Sequence, residues 1–446
     1  MTDLRAAVEA VLPSVRADLE RLVRIPSVSA DPARAGDVLA SAEAVAELAR
    51  GAGAAQADVV SAAGGRPAVI ASWPAPEGAP TVLLYAHHDV QPTGPRDGWT
   101  SDPFEPVEHD GRLFGRGVSD DKAGVATHIA ALRAFAAPPP VGVVLFVEGE
   151  EEIGSPTFTP FLEAHRDRLS ADVIVVADSA NWTAEVPALT TSLRGGVDCL
   201  VTLRVLEKSV HSGAFGGPVI DALTALTRLL ATLHDDKGDV AIAGLLTTDA
   251  ADVDYPEQRF RADAGVLDGV QLMGSGSLLD RLWTRPTASV LAIDAPAVAD
   301  AANILVHEAR AKVSVRIAPD QDPRAALDAL EAHLREHVEF GVQIEITEGM
   351  VGGGCALPTE GPVVEAAEAA LTEAFGVTSV RTGMGGSIPF IAEFEQTFPD
   401  ATVLVTGMGD PLSGPHGLNE SLDLAMFAKG CLAETLLLDR LARLPR

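Results

Sequence analysis

Residues 83–92 read LLYAHHDVQP, so two histidines and an aspartate follow directly on an apolar run of strand character. Strand side chains alternate between faces, which puts His87 and Asp89 on one side and His88 on the other. An imidazole serves as a metal ligand when its second ring nitrogen has a partner that fixes the tautomer, and a carboxylate two residues on can be that partner. His87 is therefore the candidate ligand, Asp89 its orienting partner, and His88 a packing or wall residue. A lone His-x-Asp is weak, but three more stretches strengthen it. GRGVSDDKAG brings Asp120 and Asp121 to a helix start, where helix capping is the competing explanation. FVEGEEEIGS places Glu148, Glu150, Glu151 and Glu152 behind the most apolar strand of the chain. Adjacent acids usually make a solvated face, yet crowding them at a sheet edge is costly without a cation. VVADSANW ends another apolar strand on Asp178. Mixed histidine and carboxylate donors suit Zn²⁺ or Mn²⁺. So many acids allow two ions about 3.5–4 Å apart sharing a carboxylate, which would acidify a water for attack on a carbonyl and call for a nearby base.

Such a cluster needs strands that end together. Helical spacing covers 5–23 and 36–50, and strand-like runs follow at PAVIASW, TVLLYA, VGVVLFV and DVIVVA. Helical patterns over DDKAGVATHIAALRAFAA and TFTPFLEAHRDRL separate them, which predicts an α/β layered sheet with its site at the strand C-terminal ends. Asp110-Gly111 between extended runs predicts a hairpin. From about 195 the rhythm becomes α+β, with Asp- and Gly-rich residues 235–280 reading as loops. Later the first pattern returns, with a helix over 361–375, the strand ATVLVTG and a last helix from about 421. The predicted organisation is a catalytic domain in two parts, 1–190 and 351–446, interrupted by an inserted domain over 191–350.

Of 446 residues, 47% are hydrophobic, enough for substantial cores. Lys plus Arg number 33 against 63 for Asp plus Glu, a formal net charge of −30, which disfavours nucleic acid and anionic membranes as partners. Cys199, Cys355 and Cys431 lie far apart, fitting a reducing compartment and buried apolar roles. Cys355 in GGGCALP has no activating neighbour in sequence. The charged N-terminal segment is not a signal peptide, and no apolar run approaches the roughly 20 residues of a spanning helix. A soluble, cytoplasmic protein is expected.

AHHDVQP, GRGVSDDKAG, EGEEEIGS, VVADSANW, SVHSGAFGG, GGSIPF and GPHGLNE occur in an order that resembles the dinuclear-zinc exopeptidases, which include carnosinase-type dipeptidases, glutamate carboxypeptidase and aminoacylases. The resemblance implies a zinc-peptidase-like catalytic domain, a mixed sheet flanked by helices, with an inserted α+β lid and dimerisation domain. It implies that His87, Asp120 and Asp178 hold one metal and that Asp120, Glu152 and His416 hold the other, with Asp120 bridging and the Asp120–Asp121 peptide cis. Glu151 takes the general acid/base position. His211 matches a histidine that polarises the substrate carbonyl, often in the partner's site. Asn303 and Arg316 match residues for substrate carbonyl and carboxylate, and Gly385, Gly386 and Ser387 a carboxylate-binding loop. Departures are Ala86 and Val306 for the usual Gly and Pro, and Gly383-Met384 for an Arg-Glu pair, with Arg381 displaced. The expectation is a homodimeric metal-dependent exopeptidase, acting on dipeptides or short peptides with a free C-terminal carboxylate through a water activated by two divalent ions, Zn²⁺ first, Mn²⁺ or Co²⁺ as alternatives. Its rivals are an N-acyl-amino-acid amidohydrolase with the same site and an inactive metal-stabilised scaffold; a scaffold needs no base, so Glu151 speaks against the latter.

Overall fold

Each apolar run that precedes a candidate ligand is a strand in the computed structural model, which describes residues 3–135, 138–248, 253–386 and 389–445. The chain divides into two units, Met1–Thr191 with Leu357–Thr382 and Glu393–Arg446, and Ser192–Ala356 with Gly383–Ala392.

The first unit is built on strands β1 (Gln56–Val60), β2 (Ala68–Trp73), β3 (Thr81–His87), β4 (Gly142–Glu148) and β5 (Val173–Val176). They lie in the order β1–β2–β4–β3–β5, followed by Thr402–Val405. β4, β3, β5 and Thr402–Val405 run parallel, while β2 pairs antiparallel with β4 and β1 antiparallel with β2. Register places His87 opposite Glu148 and Tyr85 opposite Val176, so the central strands end at one level. These strands are buried on both faces, hence their near-continuous apolar sequence. Val82, Leu84, Leu145 and Val175 pack with residues of helices α1 (Leu4–Val23), α2 (Ala35–Gly51), α3 (Lys122–Ala134) and Leu424–Leu441. On the alternate face Tyr85 and Phe146 meet Phe158 and Phe161 of helix α4 (Phe158–Leu169) and Phe394, with ring centroids 5.0–6.4 Å apart among the contacts they make. The Asp110-Gly111 hairpin joins Val107–His109 to Arg112–Phe114, with φ of +48° and +77° at the turn, the pair of left-handed residues a tight hairpin needs.

The second unit is an antiparallel sheet in the order Thr287–Asp294, Glu308–Ile317, Gly195–Arg204, Gln343–Gly352. Helices Ala222–Ala231 and Pro323–His337 pack Leu226 and Leu330 against Val197, Val201, Val313 and Val315. Asp221 and Asp322 cap those helices by accepting from Thr224 N and Ala325 N. Two features depart from the sequence reading. A short helix, Glu257–Asp263, lies within the segment read as loops. Residues 383–392, assigned by sequence to the returning catalytic part, cluster with the second unit. Among the described residues no helix is long and apolar enough to cross a membrane.

Candidate metal centre

β3 delivers His87, the turn Glu151–Ile153 after β4 delivers Glu151 and Glu152, and the segment after β5 delivers Asp178. Asp120 comes from the loop before α3 and His416 from the loop between Thr402–Val405 and the last helix. These residues converge. His87 Nε2 lies 3.1 Å from Asp120 Oδ1 and 3.9 Å from both Glu151 Oε2 and Asp178 Oδ1. His416 Nε2 lies 3.0 Å from Asp120 Oδ2 and 3.1 Å from Glu152 Oε2. Asp120 thus turns one oxygen to each histidine. His87, Glu151 and Asp178, and equally His87, Asp120 and Glu152, present ligand atoms within 4.8 Å of one another, so Glu151 stands at the centre itself as well as beside it. The Asp120–Asp121 peptide is cis. Asp121 makes no side-chain cap to α3; its Oδ2 accepts the His87 amide at 3.2 Å, so capping does not explain the aspartate pair.

Asp89 has a broader part than orienting His87. The His87 Nδ1 is 3.0 Å from the Asp89 backbone carbonyl and 3.4 Å from its carboxylate. That carboxylate also accepts the amides of Glu151 and Glu152 at 3.2 and 3.1 Å, fixing the turn that carries both acids. With Nδ1 facing carbonyl and carboxylate acceptors, the lone pair is left on Nε2, toward the cluster. His88 points elsewhere, its Nε2 2.9 Å from Pro67 O, and burial lowers its pKa to about 4. Glu148 and Glu150 are structural acids: Glu148 accepts from Tyr85 OH, and Glu150 from Arg66 N, Thr157 N and Thr157 Oγ1.

Two supporting residues escaped the sequence reading. Gln91 holds Glu152 through its amide at 3.0 Å and its side-chain Nε2 at 2.8 and 3.0 Å. Glu420 accepts from Asp120 N, Ser119 N, Ser119 Oγ, Gly117 N and Arg116. Its only signal was its place as the acid closing GPHGLNE.

The electrostatics suit a cation. Burial raises the Glu151 pKa to about 7, with His87 opposing and Glu152 adding to the rise. Burial likewise holds Asp178 well above the carboxylate range, opposed by His87 and reinforced by Glu151 and Asp120. Burial works against ionising Asp120, yet its bonds to His416 and His87 hold it well below its ordinary value. Hydrogen bonds that His416 donates to Asp120 and Glu152 push its pKa up to about 10. Carboxylates this close and this buried repel one another unless positive charge is shared among them. Oxygen and imidazole donors with no thiolate fit divalent ions of the Zn²⁺ or Mn²⁺ kind.

The remaining candidates belong to the second unit. His211 lies on a two-residue ribbon paired with Ile304, next to Asn303, whose carbonyl accepts from Ser212 N. His211 Nδ1 accepts from Gly213 N at 3.0 Å, which puts the ring proton on Nε2. Arg316 stands opposite Gly196, where an added Cβ would come within 3.4 Å of Nη1. Gly385 gives its carbonyl to Arg194 Nε at 3.2 Å, Gly386 follows it, and Ser387 lies outside the described residues. Arg381, in the first unit, is paired with Glu368 at 2.6 Å. All three cysteines are buried, and burial raises the Cys199 thiol to about 12.

Comparison with known proteins follows the same line. Residues 83–440 match peptidase family M20/M25/M40. A cysteinylglycine-S-conjugate dipeptidase of Corynebacterium striatum is 35% identical over 363 residues, 80% of this chain and 80% of that protein. The Cys-Gly metallodipeptidase DUG1 of Saccharomyces cerevisiae is 26% identical over 465 residues, 96% of each. The fold is shared with the solved structures of Dug1p from S. cerevisiae (TM-score 0.83, 24% identity, covering 100% of this chain and 99% of that one) and of human carnosine dipeptidase 1 (0.82, 23%, 99% and 98%).

Proposed function

The chain belongs to peptidase family M20/M25/M40, and from that premise we propose that it is a metal-dependent dipeptidase, an exopeptidase acting on dipeptides or short peptides with a free C-terminal carboxylate. The observation that carries this reading is Asp120, whose two oxygens face two different histidines amid Glu151, Glu152 and Asp178. His87, Asp120 and Asp178 would hold one divalent ion and Asp120, Glu152 and His416 the other, zinc first, with manganese or cobalt as alternatives. When bound, such ions polarise a carbonyl and acidify a water.

The chain's own residues do the rest. Glu151, with a pKa near neutrality, is suited to take a proton from water and return it to the leaving amine. Asp89 keeps Glu151 in place through its amide. His211, protonated on Nε2, would donate to the oxygen that gains charge, in its own chain's reaction or a partner's. Arg316, with Asn303 and the loop Gly385–Gly386–Ser387, would grip the substrate carboxylate, the planar fork of a guanidinium matching its two oxygens. The relatives named as dipeptidases support a dipeptide substrate. A homodimer is supported by the edge strand Thr287–Asp294, which leaves Val290, Leu291 and Ile293 exposed. Free, buried cysteines support a reducing, cytoplasmic setting.

The test compares free-acid dipeptides, their C-terminal amides and N-acyl amino acids, before chelation, after it, and with Zn²⁺, Mn²⁺ or Co²⁺ restored. Losing a desolvated charge pair between enzyme and substrate carboxylate costs roughly 2–5 kcal/mol, and each ~1.4 kcal/mol is tenfold, so amidation should lower kcat/KM at least tens-fold. Equal rates on acid and amide would remove the exopeptidase reading. Turnover of N-acyl amino acids faster than of any dipeptide would make the enzyme an amidohydrolase. Full turnover by verified metal-free protein would remove the metal.

A further inference from the structure

Asp120 and His416 sit on loops, 115–121 and 406–420, that belong to no helix or strand, so something other than a backbone ladder must hold them. The geometry points to one buried ion pair, Arg116–Glu420, as the positioning device of the metal centre; this rests on the ligand assignment above and extends it to residues that touch no substrate or metal. Both side chains are closed off, 1% and 0% exposed, with Nη1 and Oε2 2.8 Å apart.

Glu420 is saturated by protein donors. Oε2 takes Arg116 Nη1 and Gly117 N, each at 2.8 Å. Oε1 takes Ser119 N, Ser119 Oγ and Asp120 N at 2.9, 3.1 and 3.1 Å. Five donors on one carboxylate leave it no role as a ligand, although it lies next to one, and they fix the backbone of 117–120 from which Asp120 projects. Arg116 neutralises the pair, so the clamp adds no net charge to a centre already crowded with carboxylates.

Arg116 also reaches the segments that carry or support the other two ligands of the same ion. Its Nη2 donates to Gly417 O at 2.8 Å, one residue past His416, whose φ of +61° is left-handed and needs external support. The same nitrogen lies 3.3 Å from Pro92 O, one residue past Gln91, which holds Glu152. Trp99 lies against the guanidinium at 5.4 Å and shields it from water. One pair thus fastens the backbone beside Asp120 and His416 and reaches the residue after Gln91, three sequence-distant segments serving one ion.

A mere staple would raise stability and nothing else, so the test separates the two. Metal affinity is measured by competition with a chromophoric chelator, and the visible spectrum of the Co²⁺-loaded protein is recorded, with Tm, kcat and KM alongside. The variants are Arg116→Lys, Glu420→Gln and, as a core control away from the loops, Leu438→Ala, whose parent side chain is fully buried. Arg116→Lys and Glu420→Gln should bind metal roughly 10–100-fold more weakly, the scale for losing a residue that supports a ligand. Their cobalt spectra should shift and kcat should fall more than KM changes, while Leu438→Ala loses Tm with affinity and spectrum unchanged. Should Glu420→Gln not fold, Arg116→Lys, which keeps the charge but not the fork, still decides. Folded variants with wild-type affinity and spectrum would overturn the inference. A wild-type protein that binds no divalent ion would instead overturn the metal centre itself, and the positioning role with it.

Discussion

Glu151 and Glu152 are adjacent, yet their surroundings differ in ways that support the different work proposed for them. Glu152 is gripped by Gln91 on both oxygens and faces His416, whereas Glu151 faces His87 at 3.9 Å with its pKa raised to about 7. Glu151→Gln should retain metal and lose several orders of magnitude in turnover; Glu152→Gln should lose metal, seen by elemental analysis. Near-normal kcat in Glu151→Gln would refute the proton-transfer role. Glu148 offers a pH test. Burial lifts its carboxyl from 4.5 to about 8, against the Tyr85 and Ser155 hydroxyls. The fold therefore keeps a proton that the unfolded chain releases, and stability present at low pH is lost as pH rises through that window. Glu148→Gln removes this loss, so its Tm relative to wild type should be higher at about pH 8.5 than at about pH 5.5. An equal difference at both would show that Glu148 does not carry the proton.

The elements explain which parts of the centre the sequence discloses. β3, β4 and β5 are buried on both faces, so their apolar runs stop abruptly where chemistry begins, and His87, the Glu148–Glu152 acids and Asp178 stand out. His416 follows no such run and was reached through resemblance alone. Gln91 and Glu420 act through hydrogen bonds whose partners depend on which loops meet, which no periodicity encodes. The same holds for residues 383–392, whose grouping with the second unit is a matter of tertiary contact. Glycine carries a comparable hidden constraint. The chain after β5 runs so close to 407–409 that a Cβ on Gly407 would fall 1.7 Å from Ser179 O, beside Asp178, whereas one on Gly409 would meet Ala180 at 3.0 Å. Gly407→Ala must part these segments, so it should lower stability by about 1–3 kcal/mol or more and weaken metal binding, with Gly409→Ala milder in both. Thermal melts and metal titration check the order; equal, small effects would mean that the segments separate freely.

At the scale of the whole molecule, a net charge of −30 makes two copies repel, so association needs an apolar surface. The edge strand Thr287–Asp294 offers one, with Leu291 59% exposed. Proteins normally shield such an edge, and a second copy is one way to do so. The proposed dimer gives His211 a choice of sites, its own chain's or the partner's. His211→Ala should keep its metal and lose roughly 10²–10³-fold in turnover, as for one oxyanion donor. Mixing this variant with Glu151→Gln decides where the donor acts. If it acts in the partner, a mixed dimer owns one site with both wild-type groups and one with neither. Random exchange makes half the dimers mixed, so activity should return to about a quarter of wild type. If His211 serves its own chain, each site in the mixture lacks one group, and activity stays at the level of the single variants. Subunit exchange is verified independently by mass-tagged copies, so that absence of recovery assigns His211 to its own chain rather than to dimers that never mixed.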